Sequence, residues 1–482
     1  MVEPLFSQYI QHQYSNKELV IVGMGREGIS TYQVLRAALP GHQISIFDDK
    51  PLGQLEETTR ELLSSDSNSS YFSQDNSAML LFSANSVVFK TPGIPATHRI
   101  IAKAISAQAS VTSNTALFFE SLSQLPKSPL TIGITGTKGK STTTSLIHHV
   151  LQAAGKTVLL AGNIGVPALT LLDTISAATA SDLLVVLELS SHQLQDLQHS
   201  PQIAVIQNVT PEHLDYYLNF DQYLNAKNAI AQYQNEKNVI IYSPDFAASA
   251  DIASLSKAAT RYTFSLNPTN PASVTAYATD QAVFYKEEKI MDVSQIPLVG
   301  SHNLLNVLPS ILIAKHLGID SETIRSAISK FTALPHRLEY VATNDQVRYF
   351  NDSQATTPEA AIAALRSFPL GKVHLLAGGS DKGVELTEFA QEILHRKVKT
   401  VLLFAPMGNQ IAALLEKAAV EQNVPLPTLL PVDSMQEAVQ QAVASAEAED
   451  VVLLSPACAS FGLFKNYQDR GDQFKAAVNT LS

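Results

Sequence analysis

The sequence has little cysteine and no long apolar run. Its 482 residues include a single cysteine, Cys458, which excludes an intramolecular disulfide and any metal site built from several cysteines. We interpret Cys458 as a small buried residue. No stretch approaches the roughly 18 uninterrupted apolar residues of a membrane-spanning helix, and the first residues lack a basic segment followed by an apolar one. We therefore expect a soluble, cytoplasmic protein with no membrane partner.

Positive charge is also scarce. The chain has 33 Lys and Arg against 44 Asp and Glu, a formal net charge of -11. This balance argues against a broad basic surface for nucleic acid, although an acidic protein can still gather Lys and Arg in a pocket for an anionic substrate. We expect small-molecule substrates and no nucleic-acid partner. A chain of this length, 45% hydrophobic, predicts about three domains at roughly 150 residues each.

The first predicted domain, residues 1–122, begins with a βαβ nucleotide-binding pattern. The stretch ELVIVG is typical of a strand that turns into a helix, and HQISIFDD supplies a second strand that ends near Asp48. Gly23, Gly25 and Gly28 have the G-x-G-x-x-G spacing of a dinucleotide site. The same spacing occurs where the helix N-terminus binds a different diphosphate or nothing, so the residues alone leave the ligand open.

Two further α/β domains are predicted, at 123–332 and 333–482. The linker SLSQLPKSP precedes the second domain, in which several apolar runs end in glycine or polar residues. Ligands of open α/β sheets bind where strands end, so we expect the chemistry there. Residues 259–297 alternate in the manner of antiparallel hairpins. Strand and helix patterns alternate again in the third domain, in KVHLLAGG, TVLLFAP and DVVLLSPACAS.

The stretch GITGTKGKS is a partial phosphate-binding loop. A strict GxxxxGK[ST] pattern requires glycine at the position of Ile134. The physically necessary parts are present, because Gly136 and Gly139 allow the backbone to approach a phosphate and Lys140 supplies a positive charge. Ser141 offers a hydroxyl to Mg²⁺ at the start of a predicted helix. The stretch therefore predicts a phosphate site; the alternative is a glycine turn with a surface lysine.

Three more residues are candidates for chemistry. Glu188 ends a strand that looks buried, where a carboxylate is costly without a partner, and Mg²⁺ would be such a partner. His213 follows another strand and could be a ligand of a second metal, a substrate contact or a structural residue. Lys227, by its helical surroundings alone, has the pattern of an exposed helix residue.

The order of these motifs resembles that of the Mur ligases of peptidoglycan synthesis. The motifs are TGTKGKS, GNIG, ELSSHQL, NVTPEHLD, YLNAK, GSHNLLN, LPHRLEY, NDS.AT and LSPACAS..FKNY.DRG. The resemblance covers nearly the whole chain. It implies an α/β fold of three domains: an N-terminal Rossmann-like UDP-binding domain, a central P-loop-type ATPase domain and a C-terminal Rossmann-like α/β domain. We expect a monomer.

Within the family, the chain is most similar to the branch that adds D-glutamate to UDP-N-acetylmuramoyl-L-alanine. The resemblance implies an ATP-dependent ligase with Mg²⁺ as cofactor, in which ATP phosphorylates the substrate carboxylate. The amine of glutamate then attacks the acyl phosphate to form an amide. Three other functions stay open: the same ligation with L-glutamate, a folylpolyglutamate synthetase-like amide ligase, and a non-catalytic nucleotide-sugar-binding relative. An oxidoreductase that uses the first glycine loop is the weakest rival.

The resemblance assigns roles around ATP. The phosphate loop consists of Gly136, Thr137, Lys138, Gly139, Lys140, Ser141 and Thr142. Further nucleotide contacts are assigned to Asn303, Asn306, Arg337 and Asp352. The metal ligands are Ser141, Glu188, His213 and Lys227, of which Lys227 matches a lysine that the family carbamylates with CO₂. The catalytic residues are Lys140, His213 and Lys227.

The resemblance also assigns the other two substrates. Asp48, Thr91 and Gly93 match contacts to the uracil and the diphosphate, and Asn163 matches a contact to the sugar-peptide part. The glutamate contacts are assigned to Thr356, Lys382, Ser460 and Tyr467. Two positions depart from the family pattern: Gln354 stands where the family usually has Lys, and Gly462 stands where Asp is common. The loss of a cation at position 354 leaves the stereochemistry of the glutamate open.

Overall fold

The computed structural model describes residues 4–178, 182–212, 216–381 and 383–481. The chain forms two compact units, Met1–Met291 with Leu305–Ala327 and Asp292–Leu304 with Ile328–Ser482. Within the described ranges it builds three sheets, which are mainly parallel and alternate with helices. The α/β class is therefore confirmed, while the domain boundaries at 122/123 and 332/333 stay predictions. No helix in these ranges is long and apolar enough to cross a membrane.

The first sheet is entirely parallel, in the order β3-β2-β1-β4-β5. Its strands are β1 Glu18–Val22, β2 Ile44–Phe47, β3 Ser69–Phe72, β4 Ser86–Lys90 and β5 Ser110–Thr112. Its helices are α1 Pro4–Tyr14, α2 Arg26–Ala38, α3 Glu57–Ser64, α4 Arg99–Ser106 and α5 Asn114–Leu122. The strand order reverses direction between β1 and β4. Ligands of such sheets bind at this switch point, beyond the carboxyl ends of the strands.

The second sheet has the order β14-β13-β12-β11-β10-β9-β6-β8-β7. Its strands are β6 Leu130–Thr135, β7 Val158–Gly162, β8 Leu184–Glu188, β9 Ile203–Ile206, β10 Val239–Tyr242, β11 Thr260–Leu266, β12 Ala276–Ala278, β13 Ala282–Tyr285 and β14 Glu288–Asp292. The helices that follow α5 are α6 Lys140–Ala153, α7 Leu172–Ala177, α8 Ser191–Leu194, α9 Phe220–Lys227, α10 Ala229–Gln232, α11 Ala247–Ser254, α12 His302–His316 and α13 Ser321–Ser329.

The predicted antiparallel hairpins of residues 259–297 are wrong in part. Strands β12 and β13 pair antiparallel, but β11 runs parallel to both β10 and β12. The connection from β11 to β12 contains a 3₁₀ turn at Pro271–Ser273 and is not a tight hairpin turn. The chain therefore enters β12 in the same direction as β11. The alternation of apolar and polar residues indicates that one face of a strand is buried. This pattern is the same for parallel and antiparallel strands.

The third sheet has the order β15-β16-β20-β17-β18-β19 and is parallel except for the hairpin β15-β16. Its strands are β15 Glu339–Asn344, β16 Val347–Asn351, β17 Val373–Gly378, β18 Thr400–Phe404, β19 Thr428–Val432 and β20 Val451–Leu454. Its helices are α14 Pro358–Arg366, α15 Thr387–His395, α16 Met407–Gln422, α17 Met435–Ser445 and α18 Tyr467–Asn479. The alternation predicted for this part of the chain is present.

Strands β8, β9, β17 and β20 are buried along their whole length, as expected for parallel strands covered by helices on both faces. Polar side chains can reach a ligand only where such strands end, and Glu188, the last residue of β8, lies at such an end. Cys458 is buried as well, and burial raises the pKa of its thiol to about 11. This environment agrees with an inert cysteine.

Candidate active site

The loop between β6 and α6 needs glycine for a steric reason. Gly139 has a φ of +81° and precedes the first residue of α6. A Cβ atom on Gly139 would lie 2.1 Å from Oδ1 of Asn306, and one on Gly136 would lie 2.6 Å from Cβ of Gln207. Side chains from two other segments therefore press against the loop. The loop places the N-terminus of a 14-residue helix at its open side, where backbone N–H groups attract anions.

The lysines and threonines of this loop are held by defined partners. Lys140 Nζ donates to the carbonyl oxygens of Gly136 at 3.1 Å and Thr137 at 2.9 Å, so the ammonium lies over the loop. The Thr137 hydroxyl donates to the carbonyl of Thr210 at 2.9 Å, and the Lys138 side chain forms an ion pair with Glu212. The residues that follow β9 thus hold the loop in one conformation. Thr142, in the first turn of α6, is buried.

Glu188 ends β8 and has the surroundings of a cation ligand. Its side chain is 1% exposed, and Oε1 accepts a hydrogen bond from Nδ2 of Asn163 at 2.7 Å. The other oxygen, Oε2, is buried without a hydrogen-bond donor among the described residues. Strand β8 pairs with β6, the strand that leads into the loop and its Ser141 hydroxyl. A buried carboxylate oxygen without a donor beside a hydroxyl-bearing phosphate loop fits Mg²⁺.

Two predicted residues, His213 and Lys382, lie outside the described residues. Over the ranges that the structure does describe, no group of three or more His, Cys, Asp or Glu side chains could hold a metal. The second metal position that the resemblance assigned to His213 and Lys227 therefore stays a prediction.

Lys227 is buried, so its interpretation as an exposed helix residue is wrong. It is the last residue of α9, is 1% exposed, and its Nζ donates to the carbonyl of Gly136 at 3.0 Å. The same nitrogen lies 4.6 Å from the centre of the Tyr223 ring. Burial, and secondly the positive charge of Lys140, lower the pKa of Lys227 well below its ordinary value. The helical pattern could not reveal this, because the position of the loop beside α9 is a tertiary property.

The two predicted asparagines of α12 have different surroundings. Asn306 is buried, touches Gly139 and accepts a hydrogen bond from the Thr143 hydroxyl at 3.3 Å. Asn303 belongs to the other compact unit, where its Nδ2 donates to the carbonyl of Val299 at 2.7 Å. One residue beside the loop escaped the sequence analysis: Gln207 donates to the Thr143 hydroxyl at 2.6 Å. Its position directly after the apolar run of β9 was an available signal.

The first sheet brings its predicted residues to one place. Asp48 accepts hydrogen bonds from the backbone N–H groups of Met24, at 2.8 Å, and Lys50, at 3.0 Å. A Cβ atom on Gly23 would lie 2.1 Å from Oγ1 of Thr91, so the glycine loop and the turn after β4 touch. Apart from its chain neighbours, no described residue lies within 4 Å of the position that a Cβ atom on Gly93 would take. These residues meet at the switch point between β1 and β4.

In the second compact unit, Asp352 follows β16 and is buried. Its Oδ2 accepts a hydrogen bond from the Ser455 hydroxyl at 2.8 Å, and its Oδ1 accepts one from the Leu338 backbone at 3.1 Å. Burial raises the pKa of this carboxyl to about 7, although these hydrogen bonds and the charge of Arg337 oppose the rise. Asp352 therefore changes its charge near neutral pH.

Replacing Asp352 by asparagine is expected to flatten the pH dependence of stability between about pH 4 and about pH 7. The folded carboxyl keeps its proton up to a pKa of about 7, whereas the ordinary value is 3.8. Its stabilising contribution is therefore complete below about pH 4 and is lost as the pH rises through about 7. Thermal unfolding at several pH values measures the slope. The matched control is Asp345→Asn, at an exposed turn of the same unit; equal slopes in wild type and Asp352→Asn would contradict the expectation.

The residues assigned to glutamate lie around the loops that follow β16 and β20. Ser460 is buried, and Tyr467, the first residue of α18, has its ring 5.9 Å from that of His336. Thr356 and Gln354 are half-buried. No polar partner of the Gln354 side chain occurs among the residues that the structure describes. The structure thus brings most of the predicted amino-acid pocket into one unit.

Arg470 was missed as a residue of this region, although it belongs to the quoted DRG motif. Its guanidinium is fully buried and donates to the carbonyls of Ser353, at 2.8 Å, and Cys458, at 3.1 Å. Burial lowers the pKa of Arg470 to about 10, so it remains charged at neutral pH. The side chain joins the segment after β16 to the segment after β20.

Comparison with known proteins gives consistent results. The model of the Mur ligase middle domain matches residues 134–314, and the model named Mur ligase, glutamate ligase domain matches residues 336–458. The chain is 36% identical over 470 residues to UDP-N-acetylmuramoylalanine--D-glutamate ligase of Streptococcus agalactiae serotype Ia, covering 97% of this chain and 98% of the relative. The ligase of the same name from Clostridium tetani is 32% identical over 99% of both chains.

Solved structures share the fold. The MurF ligase of Thermotoga maritima in complex with ADP superposes with a TM-score of 0.57 at 14% identity, and the match covers 100% of both chains. At this identity the likeness concerns the fold alone.

Proposed function

The chain belongs to the Mur ligase family, and we infer that it joins D-glutamate to UDP-N-acetylmuramoyl-L-alanine with ATP, in the synthesis of peptidoglycan precursors. The observation that carries this inference is the similarity of the whole chain, at more than 30% identity, to relatives with that one activity. The phosphate loop and the buried Glu188 supply the chemistry that such a reaction needs.

The reaction requires activation of a carboxylate. An amine cannot displace oxide from a carboxylate, so the proposed route transfers the terminal phosphoryl group of ATP to the carboxylate of the alanyl group. The glutamate nitrogen then forms a bond to the carbonyl carbon, the C–O bond to phosphate breaks, and the nitrogen loses a proton. Lys140 and the N-terminus of α6 place positive charge where phosphate oxygens gain negative charge, and such placed charges are a large source of catalysis.

The residues present fit a divalent cation of the hard, oxygen-preferring class. Ser141 and Glu188 would hold Mg²⁺, which would neutralise charge on the phosphates when bound. Asn163 holds one carboxylate oxygen of Glu188 by a hydrogen bond and leaves the other without a donor among the described residues. Asn163 thereby fixes the direction in which the second oxygen points.

Lys227 has the properties of a lysine that reacts with CO₂. Its lowered pKa favours the neutral amine, which is the nucleophile in carbamate formation. The nitrogen forms a bond to the carbon of CO₂ and releases one proton, so a neutral amine becomes an anion that the positive charge of Lys140 attracts. We include a carbamylated Lys227, with His213 as its companion at a second metal, in the proposal.

The remaining assignments form the rest of the proposal. Residues 1–122 bind the UDP part, residues 123–332 bind ATP, and residues 333–482 bind glutamate and contribute to the nucleotide site. We further propose that the enzyme acts as a monomer in the cytoplasm. Gly23, Asp48 and Thr91 meet at the β1/β4 switch point, where we propose that the uridine diphosphate binds.

The test is phosphate release from ATP and Mg²⁺ with UDP-N-acetylmuramoyl-L-alanine, followed by mass spectrometry of the product. We expect phosphate release and an added glutamyl mass with D-glutamate, and neither with L-glutamate or without an amino acid. The reason is the family assignment, in which Gln354 is a tolerated difference from the usual Lys.

Three other outcomes would contradict the proposal. A product with L-glutamate alone would place the chain in a different branch of the family. ATP binding without any acceptor-dependent phosphate release would favour a non-catalytic nucleotide-sugar-binding relative, and turnover of a folate acceptor would favour the folylpolyglutamate synthetase-like reading.

A further inference from the structure

The glycine loop of the first sheet carries two charged residues that the proposed function does not use. Arg26 and Glu27 lie between Gly25 and Gly28, at the first two positions of α2, where the glycine pattern itself does not specify the residue type. The Arg26 guanidinium donates to the carbonyl oxygens of Gly165, at 3.0 Å, and Asn163, at 3.2 Å. Arg26 therefore spans from the first sheet to the segment that follows β7 in the second sheet.

Glu27 makes a second bridge to the same sheet. Its Oε1 accepts a hydrogen bond from Nε2 of Gln193 at 2.6 Å. Gln193 is 2% exposed and lies in α8, and its own Oε1 accepts a hydrogen bond from the backbone N–H of Ser190 at 2.9 Å. The orientation of the Gln193 amide is therefore determined at both ends, with its NH₂ group directed at Glu27.

Both bridges lead to Glu188. On one side, the backbone N–H of Asn163 donates to the Glu188 carbonyl at 2.9 Å, and the Asn163 side chain donates to the carboxylate at 2.7 Å. On the other side, Gln193 caps the segment that leaves Glu188 through Ser190. Arg26 thus holds Asn163, which is the hydrogen-bond partner of the Glu188 carboxylate. Glu27 holds, through Gln193, the turn that follows Glu188 in the chain.

We propose that Arg26 and Glu27 are positioning residues that fix Glu188 relative to the glycine loop of the first sheet, through Asn163 and Gln193. The inference rests on the proposed function, because it gives Glu188 the task of holding a cation. Groups that orient a metal ligand in this way commonly change metal affinity by about 10- to 100-fold when they are removed. The loop that receives the UDP part and the carboxylate on the ATP side then form one connected structure.

A third contact between the same sheets provides a matched control. The Tyr216 hydroxyl donates to the carbonyls of Ile94, at 3.1 Å, and Pro92, at 3.3 Å. This contact joins the turn after β4 to the second sheet and does not involve Asn163 or Gln193. Tyr216→Phe therefore removes a bridge of the interface while leaving the route from Arg26 through Asn163 intact; it also removes the acceptor of Gln195 Nε2 at the end of α8, so it serves as the control for Arg26 only.

Hydrogen exchange of the ligand-free protein tests the positioning without any assay of activity. In Arg26→Ala we expect the amides of Gly162 and Asn163 to exchange about fivefold faster or more, because local opening of this segment loses a restraint. In Tyr216→Phe we expect no change there. Unchanged exchange at these amides in Arg26→Ala, or an equal increase in both variants, would overturn the proposal.

A swap of the Glu27 and Gln193 side chains tests the second bridge in the active enzyme. Gln193→Glu places two carboxyl groups beside each other and removes the amide N–H donor. Because Glu27 then loses its hydrogen bond, we expect the Mg²⁺ concentration for half-maximal activity to rise about tenfold. The double variant Glu27→Gln with Gln193→Glu restores the hydrogen bond with its roles reversed, and we expect the Mg²⁺ requirement to return to the wild-type value. A double variant no better than the single one would count against positioning by this pair. If wild type shows no ligase activity, the proposed function fails, and the exchange experiment alone decides the positioning.

Discussion

Replacing Lys140 by methionine is expected to lower the rate of phosphate release by about a hundredfold to a thousandfold. The ammonium of Lys140 lies over the glycine loop, held by two carbonyls of that loop, at the N-terminus of α6. Methionine has a similar length and no charge, so the variant loses the electrostatic contact to the phosphates and the two hydrogen bonds to the loop. Gly136 and Thr137 are buried, but the Gly136 carbonyl keeps its hydrogen bond from Lys227, so the free energy of unfolding should fall only by the cost at the Thr137 carbonyl, about 1 to 3 kcal/mol.

Steady-state phosphate release, the KM for ATP and a thermal melt measure these effects together. Lys156→Met is the matched control, because Lys156 is exposed in the turn after α6 and belongs to the same compact unit. We expect the control to keep wild-type activity. Equal rates in the two variants would remove Lys140 from the mechanism, and a collapsed melting curve for Lys140→Met alone would show a structural role instead.

Replacing Lys227 by methionine is expected to change activity and stability in opposite directions. Activity should fall by about a hundredfold or more, because the proposed anion on this side chain is lost. Stability should rise, by about 1 to 2 °C in melting temperature for each 1 kcal/mol gained in a unit of this size, because the variant no longer buries an amine without a carboxylate partner among the described residues. The Gly136 carbonyl stays paired, since it also accepts a hydrogen bond from Lys140.

The control for Lys227 is Lys237→Met, at an exposed position of the same unit. Its effect on stability should stay within about 0.5 kcal/mol, as is usual for surface substitutions. Removal of dissolved CO₂ and bicarbonate is expected to reduce the activity of wild type and of Lys237→Met reversibly, with no further effect on Lys227→Met. Full activity of Lys227→Met, or indifference of wild type to CO₂, would refute the carbamylated lysine.

The order of strands and loops was accessible from the sequence for a simple reason. Buried parallel strands are continuous apolar runs, and each run ends in the glycines or polar residues that bind ligands. The loop around Gly136 and the strand end at Glu188 were predicted in this way, and the structure has both at carboxyl ends of strands. The direction of β11 relative to β12 could not be predicted from the sequence, because apolar residues alternate in the same way in parallel and antiparallel strands.

The sequence by itself determined the α/β class, the glycine loops and the residue types available for phosphate and cation binding, since these follow from local patterns of burial and backbone geometry. Only the tertiary structure decided which residues those loops meet. Lys227 lies under the phosphate loop, and Arg470 joins two loops from inside. Glu27 reaches Gln193 across 166 positions of sequence. Such contacts depend on how helices and loops pack over the sheets. No periodic pattern in the sequence indicates which residues distant in the chain will be in contact.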